Sequence, residues 1–505
     1  MRYWRASLLL ITVGAIEAVA ICWPFIWGPT QGQPVWWLQV SAHVVLYRAL
    51  LRTSSVAEAT RSALLFASGW LIATFWWLYV AMHQFGGLPA ALSAGAVVAL
   101  AVSLALCYAI ACGAWKGLPS TGPGQRAIAF GALWMAAELA RGTWLTGFGW
   151  GAIGYAHTAG PLVAWVPWVG AYGVAALAAW CAASLAEIVT AGRAQRITLL
   201  VLVVGGGLLP SFSFTEANGN LSATLLQGNI PQDEKFDSGT GVPQALRWYA
   251  EHLQSQNSDL VLAPETAIPL LPHELPKGYL AAMQAGGQGA LMTGIPLGDY
   301  DKGYSNSVIA LVPGATEYWR YDKHHLVPFG EFIPPLFKWF TRMMNIPLGD
   351  FNRGAVGQPS FAWRGQRIAP NICYEDLFGE ELAARFIDPQ SAPTVFANVS
   401  NLGWFGDTVA IDQHLQISRM RALEFQRPYL RATNTGTTAI LDHQGNVVAS
   451  LPRFTAGVLE GTVEGRTGIT PYAWWASRFA LWPLWMLVAL VMAGIVLAAR
   501  RKQSV

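Results

Sequence analysis

Charged residues are scarce in this chain of 505 residues. Asp, Glu, Lys and Arg make up 12% of the sequence, whereas a soluble domain usually carries about 25%. Hydrophobic residues account for 53%, and the 24 tryptophans belong to a residue type that is enriched at membrane interfaces. The composition therefore indicates a membrane protein. The formal net charge of +3 is nearly neutral for this length and does not suggest nucleic-acid binding.

Cysteine is also scarce, with five residues in the whole chain. The sequence has no CxxC motif, no Cys/His spacing typical of zinc and no pattern of a disulfide framework, so we expect no metal site. Internal repeats and low-complexity linkers are absent as well. Cys22, Cys107, Cys112 and Cys181 lie in apolar runs, where cysteine usually serves as a small hydrophobe. Cys373 lies outside the apolar segments and is the candidate for chemistry.

The apolar runs predict about eight membrane spans, because a helix needs roughly 20 residues to cross a bilayer. The runs cover about 7–26, 34–51, 62–83, 89–115, 127–145, 162–190, 197–213 and 479–499. The first run continues through Trp23 and Pro24 without a small-residue cleavage site, which favours an uncleaved helix over a secretion signal. Ile21 before Cys22 is too large for a lipoprotein processing site.

Lysine and arginine occur in alternate connections between these runs, as the positive-inside rule describes. The basic residues in these positions are Arg2, Arg5, Arg48, Arg52, Arg61, Lys116, Arg126, Arg193, Arg196, Arg500, Arg501 and Lys502. The other connections, such as 31–33 and 84–87, are nearly free of positive charge. We therefore expect both termini in the cytoplasm and the long segment 215–475 on the opposite side of the membrane.

The segment 215–475 has a different pattern, in which strand-like apolar runs alternate with turns and polar helical stretches. The strand-like runs include 222–227, 260–263, 290–294, 307–312, 394–399 and 438–442. A helix is predicted from His414 to Gln426. The predicted organisation is a transmembrane helical domain over 1–214 with about seven spans, an α/β domain over 215–475, and a last transmembrane helix with a cytoplasmic tail over 476–505.

Three residues of the α/β segment lie where a strand-like run gives way to a loop, a common place for catalytic side chains in α/β folds. They are Glu265, Lys323 and Cys373. A thiolate is a good nucleophile, a carboxylate can take its proton, and a lysine can stabilise the charge on a carbonyl oxygen. Each residue alone has a structural explanation, but the three together fit covalent acyl transfer.

The stretches that carry these residues lie at 263–267, 321–331 and 370–375, and in this order they resemble the Glu-Lys-Cys triad of the nitrilase superfamily. Longer motifs resemble the bacterial apolipoprotein N-acyltransferase family, and the resemblance covers nearly the whole chain. These motifs lie at 227–232, 323–331, 373–375 and 401–406, and in the apolar part at 85–87, 138–142, 145–148 and 154–155. The resemblance implies a membrane α-helical bundle of about eight transmembrane helices plus an α/β nitrilase-like α-β-β-α sandwich domain.

The resemblance also implies a two-step, ping-pong reaction at the periplasmic side of the bacterial inner membrane. A phospholipid, typically phosphatidylethanolamine, acylates the cysteine as a thioester and leaves as a lysophospholipid. The α-amino group of an apolipoprotein's N-terminal S-diacylglyceryl-cysteine then takes the acyl chain as an amide, which completes lipoprotein maturation. We expect no cofactor, and a monomer.

By position, the resemblance implies that Glu265 is the general base, Lys323 the oxyanion stabiliser and Cys373 the nucleophile. The implied supporting and substrate-binding residues are Glu331, Tyr374, Glu375, Asn306, Phe236 and Trp404, the last on a mobile loop. The chain departs from the family pattern at Phe236, where tryptophan is usual, and at Leu402, where aspartate is usual. Phe236 keeps an aromatic ring but lacks the indole N–H.

Glu138 and Arg141 are ionisable residues at i,i+3 spacing in an apolar span, and they belong to the intramembrane signature of the family. Two interpretations stay open: a structural ion pair that ties helices together, or a role in binding lipid headgroups or positioning the α/β domain. The apolar stretch 336–346 is either a core helix or, as we favour, an interfacial arm with its apolar side chains in the lipid.

Two other classes of function fit part of the pattern. A membrane-tethered amidase or nitrile hydrolase uses the same triad, but it needs neither the many spans nor the intramembrane signature. A transporter or scaffold with an inactive domain accounts for the spans but not for the three site residues. The acyltransferase accounts for both.

Overall fold

The structure is a computed structural model and describes residues 2–119, 122–208, 212–254, 257–285, 288–299, 301–334 and 351–503. The longer helices are α1 (Arg2–Ala18), α2 (Trp36–Leu51), α3 (Val56–Phe75), α4 (Ala90–Gly117), α5 (Pro123–Thr143), α6 (Val166–Ala186), α7 (Arg193–Leu200), α8 (Gly241–Gln254), α9 (Tyr279–Ala285), α10 (Gly379–Ala383), α11 (Ala410–Phe425), α12 (Pro471–Phe479) and α13 (Trp482–Gln503). The strands are β1 (Thr215–Gln227), β2 (Leu260–Leu262), β3 (Ala290–Asp299), β4 (Gly303–Leu311), β5 (Trp319–Asp322), β6 (Phe361–Trp363), β7 (Gln366–Ile372), β8 (Val395–Ser400), β9 (Tyr429–Thr433), β10 (Ala439–Leu441), β11 (Val447–Ser450) and β12 (Gly457–Gly468). The proposed interfacial arm at 336–346 lies outside the described residues.

The chain divides into two compact units. A helical unit comprises Met1–Ser213, Thr408–Glu424 and Phe479–Val505, and an α/β unit comprises Phe214–Asp407 and Phe425–Arg478. The helical unit thus includes Thr408–Glu424, a segment that lies within 215–475 of the sequence.

The helical unit has fewer long apolar helices than the sequence pattern indicates. Among the described residues, three helices are long and apolar enough to cross a membrane: Ala90–Gly117, Val163–Ala186 and Trp482–Arg501. Val56–Phe75 and Leu78–Phe85 are bent by 57° and add a fourth if they form one span. The expectation of about eight spans is therefore not confirmed. One reason is that α1 and α2 have 17 and 16 residues and α7 has eight, short of the roughly 20 that a span needs.

The helix α11 belongs to the helical unit because its buried polar side chains have their partners there. Gln413 Oε1 accepts hydrogen bonds from Trp77 Nε1 at 3.0 Å and from Trp150 Nε1 at 2.7 Å. Glu424 Oε1 accepts a hydrogen bond from Ala171 N at 2.7 Å. Buried polar groups require such partners. The predicted helix of His414 to Gln426 is thus confirmed as an element, but the sequence pattern did not show which unit it joins.

The α/β unit is built on two six-stranded sheets, with strand orders β12-β1-β2-β3-β4-β5 and β11-β10-β9-β8-β7-β6. The neighbours β1-β2-β3 and β7-β8-β9 run parallel, and the other pairs run antiparallel. Buried side chains of both sheets, such as Leu225 and Val308 from one and Ile372 and Val399 from the other, form one hydrophobic core. The two sheets therefore pack face to face.

Helical segments cover the outer faces of the sheets. Tyr249 of α8 and Met283 of α9 belong to a second apolar cluster with residues of β1 to β4. On the other side, the rings of Phe386 and Phe425 stack at 4.8 Å, and both pack against Phe396 of β8. These layers confirm the predicted α-β-β-α sandwich. The ends of β2, β5 and β7 carry the three candidate catalytic residues.

Candidate active site

Cys373 is the first residue after β7 and begins a short 3₁₀ turn, Cys373–Leu377. Its φ of 50° lies in the left-handed region, which is unfavourable for a residue with a side chain. Glu375 Oε2 accepts a hydrogen bond from Ile372 N at 2.7 Å, and Asn398 Nδ2 donates to Cys373 O at 3.3 Å. These bonds hold the strained turn that presents the thiol at the strand end.

Glu375 also holds the segment that carries Lys323. Its Oε1 accepts hydrogen bonds from His324 N at 2.7 Å and His325 N at 3.2 Å, and Tyr321 Oη is 2.8 Å from each carboxylate oxygen. Burial raises the pKa of Glu375, while the donors and the charge of Lys323 act in the opposite direction. This buried carboxyl group therefore joins the Cys373 turn to the end of β5.

Glu265, Lys323, Glu331 and Asn306 form a buried, hydrogen-bonded cluster. Lys323 Nζ donates to Glu331 Oε1 at 2.8 Å and to Glu265 Oε1 at 3.4 Å. Asn306 Nδ2 donates to the same two oxygens, at 2.7 Å to Glu265 and 2.8 Å to Glu331. Glu265 Oε2 accepts a hydrogen bond from Asn401 N at 2.9 Å. Three donors thus fix the carboxylate of Glu265.

The charges of this cluster act on the thiol of Cys373. Burial raises the pKa of Cys373 well above its ordinary value, the charge of Glu265 adds to this effect, and Lys323 opposes it. Burial works to lower the pKa of Lys323, but Glu331 and Glu265 outweigh it, and the pKa lies above its ordinary value. The resting site therefore holds a neutral thiol beside a protonated lysine. Such a thiol needs a base to take its proton during attack.

The side chains of both histidines next to Lys323 contact groups outside the cluster of Glu265, Lys323, Glu331 and Asn306. His324 Nδ1 lies 2.7 Å from Gly354 O, and His325 Nδ1 lies 3.0 Å from Glu381 Oε1. The ring of His325 also stacks on Phe378 at 3.4 Å between centroids. These contacts favour Glu265, rather than either histidine, as the base.

Three supporting residues named from the sequence lie on segments next to this cluster. Tyr374 is buried, and its ring packs on His325 and Phe378 at 5.6 and 5.3 Å. Trp404 lies on the turn Leu402–Phe405, and 41% of it is exposed. Phe236 is 56% exposed. Leu402 is fully buried, which suits leucine better than the aspartate usual in the family.

The structure adds residues that the sequence analysis did not assign to the site. Lys235 Nζ donates a hydrogen bond to the backbone oxygen of Glu265 at 3.0 Å. Gln232 Oε1 accepts one from Asn401 Nδ2 at 2.7 Å. Gln232 and Asn401 lie within the motifs at 227–232 and 401–406, and Lys235 lies three residues after the first of them. A motif alone does not show which of its side chains point into the site.

Glu138 and Arg141 lie in the helical unit, on α5, and both are buried. Arg141 Nη2 is 2.9 Å from Glu138 Oε2. Arg141 also donates to Tyr108 Oη of α4 at 2.8 Å, to Phe148 O at 2.8 Å and to Trp150 O at 2.6 Å. Of the two interpretations, these contacts favour the structural ion pair, because they tie α5 to α4 and to the following loop.

Two family models match the chain in succession. Residues 19–184 match the "Apolipoprotein N-acyltransferase N-terminal domain", and residues 222–472 match "Carbon-nitrogen hydrolase". The first match lies in the helical unit, and the second covers most of the α/β unit. The nitrilase-like fold expected for the sandwich is therefore supported by the family model and by the two sheets.

Several relatives carry the name apolipoprotein N-acyltransferase. The protein of Verminephrobacter eiseniae is 51% identical, over 95% of this chain and 94% of that protein. The protein of Ralstonia nicotianae is 44% identical over 86% and 85%, and that of Bordetella bronchiseptica is 40% identical over 99% and 98%. Together with the two domain matches, these relatives show that this membrane protein is an acyltransferase and belongs to the apolipoprotein N-acyltransferase family.

Proposed function

We propose that the enzyme transfers an acyl chain from a phospholipid, through a thioester on Cys373, to the α-amino group of the N-terminal S-diacylglyceryl-cysteine of apolipoproteins. The observation that carries the proposal is the buried cluster in which Glu265 and Lys323 share a hydrogen bond and their charges act on the thiol of Cys373. Phosphatidylethanolamine is the proposed donor.

In the first half-reaction, the sulfur of Cys373 attacks the ester carbonyl carbon of the phospholipid while Glu265 takes the thiol proton. Lys323 stabilises the negative charge that develops on the carbonyl oxygen. The carbon–oxygen ester bond then breaks, and the departing lysophospholipid oxygen takes the proton from Glu265. Glu331 accepts a hydrogen bond from Lys323 at 2.8 Å, and Asn306 donates one to Glu265 at 2.7 Å. These two residues therefore hold the lysine and the base in position.

In the second half-reaction, the amine nitrogen of the apolipoprotein attacks the thioester carbonyl carbon, and Glu265 takes the amine proton. Lys323 again stabilises the charge on the oxygen. The carbon–sulfur bond breaks, an amide forms, and the proton on Glu265 returns to the sulfur of Cys373. The free enzyme is restored, so the two substrates react in turn. Neither step calls for a cofactor.

We further propose about eight transmembrane helices, with both termini in the cytoplasm and the catalytic unit on the periplasmic side of the bacterial inner membrane. The alternation of positive charge along the sequence supports this orientation. We assign Tyr374, Trp404 and Phe236 to substrate binding, as the family resemblance implies, and propose that the enzyme acts as a monomer.

The proposal is tested with the full-length chain purified in detergent. Incubation with phosphatidylethanolamine should add one acyl group to Cys373, detected by mass spectrometry, and a diacylated lipopeptide with a free N-terminal amine should then remove it as an amide. Cys373→Ala should abolish the adduct, and Glu265→Gln should slow its formation because the thiol loses its base. Cys107→Ala, at a partly exposed cysteine of the helical unit, is the matched control and should keep both steps. The proposal fails if no thioester forms, or if the thioester passes only to water, as in a hydrolase.

A further inference from the structure

Lys235 is a second buried lysine beside the catalytic cluster, and neither half-reaction uses it. It lies between β1 and α8 and is 2% exposed. Its Nζ donates to the backbone oxygen of Glu265 at 3.0 Å. The following residue, Thr266, has a φ of 51°, in the left-handed region that is unfavourable for threonine. Lys235 therefore binds the strained turn that aims the carboxylate of Glu265.

The segment that carries Lys235 is linked to Glu265 twice, directly through Lys235 and indirectly through Gln232 and Asn401. Gln232 Oε1 accepts a hydrogen bond from Asn401 Nδ2 at 2.7 Å, and Asn401 N donates to Glu265 Oε2 at 2.9 Å. The turn also packs closely against β3, since a Cβ atom at Gly294 would lie 2.4 Å from Thr266 N. The backbone and the carboxylate of Glu265 are thus both held, and the turn has little room to move.

Arg431 also acts on the thiol of Cys373, but it is paired with Asp376 at 3.4 Å. Within the remaining group of two lysines and two glutamates, the charges balance only when Lys235 is counted. Lys323 and Lys235 contribute two positive charges, and Glu265 and Glu331 contribute two negative charges. Burial lowers the pKa of Lys235 to about 8, with Glu265 and Cys373 acting in the opposite direction, so the amine is mostly protonated at neutral pH. The other charged residues of its own segment are exposed; they are Asp233, Glu234 and Asp237.

We propose that Lys235 is a positioning residue of the active site, which holds Glu265 through its backbone and balances the charge of the two glutamates so that the thiol of Cys373 can give up its proton. Without this lysine the cluster would hold two carboxylates against one ammonium. The net negative charge would disfavour both the thiolate and the oxyanion. The inference rests on the proposed function of Glu265 as the base for Cys373.

Alkylation of Cys373 by iodoacetamide tests this role without any lipid. The rate is followed by mass spectrometry of the Cys373 peptide, on the full-length chain in detergent, from about pH 6 to about pH 10. Lys235→Met should react about tenfold more slowly than the wild type near pH 6.5, a difference equivalent to about one pKa unit. The gap should close above about pH 9, because the wild-type lysine has then lost its own charge. Lys235→Arg stays charged and should react like the wild type near pH 6.5.

A gap between Lys235→Met and the wild type that is equal at every pH overturns the proposal, since it indicates packing alone. A folded Lys235→Arg variant that is as slow as Lys235→Met near pH 6.5 overturns it as well. Thermal unfolding verifies the fold of each variant, and Lys235→Gln replaces the methionine variant if that one does not fold. A pH-dependent gap in an enzyme that transfers no acyl group to the lipopeptide would refute the proposed function but leave this inference standing.

Discussion

Asn306 should be needed for fast acylation of Cys373, although it makes no bond to the substrate in the proposed mechanism. Its Nδ2 is shared between Glu265 Oε1 at 2.7 Å and Glu331 Oε1 at 2.8 Å. Asn306→Ala removes both bonds and leaves the two oxygens with Lys323 as their common donor. A hydrogen bond to a charged group is worth about 1.5–3 kcal/mol. We therefore expect a loss of about 2 kcal/mol in the first half-reaction, which is about 30-fold in rate.

The aspartate variant tests the electrostatic part of this reasoning. Asn306→Asp places a third carboxylate against Glu265 and Glu331, and two like charges about 4 Å apart repel by about 4 kcal/mol at an effective dielectric constant of 20. The variant should therefore be slower than Asn306→Ala at neutral pH. Because protonation relieves the repulsion, the deficit should shrink as the pH falls.

The assay is a single turnover of the full-length chain with phosphatidylethanolamine, in which acylated Cys373 is quantified by mass spectrometry against time. Asn218→Ala is the control, since Asn218 is a partly exposed asparagine of the same unit that donates to Gly365 O at 3.2 Å. It should acylate at the wild-type rate. The reasoning is refuted if Asn306→Ala stays within about twofold of the wild type, or if Asn306→Asp acylates faster than Asn306→Ala.

Two further predictions concern stability. Gln413→Leu should lower the free energy of unfolding by about 2 kcal/mol, because two buried tryptophan N–H groups lose their shared acceptor; thermal unfolding in detergent measures the loss. Burial raises the pKa of Glu381 to about 7, against the opposing charges of His324 and Arg353. The folded state binds this proton more tightly than the unfolded chain does, so the stabilisation is present below about pH 4.5 and is lost as the pH rises through about 7. Glu381→Gln should abolish a stability loss of order 1 kcal/mol between about pH 5 and pH 8, seen as a smaller fall in Tm than in the wild type.

Each stability prediction has its own control. Gln31→Leu changes an exposed glutamine of the helical unit and should leave the unfolding temperature nearly unchanged; an equal fall in both variants would show that leucine itself, rather than the lost acceptor, is responsible. For Glu381→Gln, a Tm that falls between pH 5 and pH 8 as steeply as in the wild type would assign the pH dependence to other groups.

The place of the three candidate catalytic residues at strand ends could be predicted from the sequence because each depends on a short stretch of chain. Glu265, Lys323 and Cys373 each follow a strand-like run, and the observed strands β2, β5 and β7 end just before them. Strand periodicity acts over a few residues, so the α/β character of 215–475 was predictable as well. The α-β-β-α sandwich itself was implied by the family resemblance. The hydrogen-bond partners within the site were harder to predict from the sequence. Asn306 bridges two glutamates whose positions depend on loops, and no local pattern marks such a bridge.

The number of membrane spans was harder to predict from the sequence than the strand ends. Hydropathy measures how apolar a run is, but it does not show where a helix bends or ends. The run at 62–83 contains the 57° bend between Val56–Phe75 and Leu78–Phe85. Helix α11 illustrates the same limit for polar residues. Its amphipathic pattern predicts a helix. The unit to which the helix belongs, however, depends on hydrogen bonds between Gln413 and two tryptophans that are far away in the sequence.

The sequence by itself determined the membrane character and indicated two kinds of domain and three candidate residues for the centre of the site. Composition, periodicity and motifs can all be read without knowing which distant residues meet in the fold. Tertiary structure decided which side chains surround that centre. Lys235 is close to Glu265 in space but 30 residues away in the chain. Its effect on the charge of the site depends on burial and distance, which only the folded chain establishes.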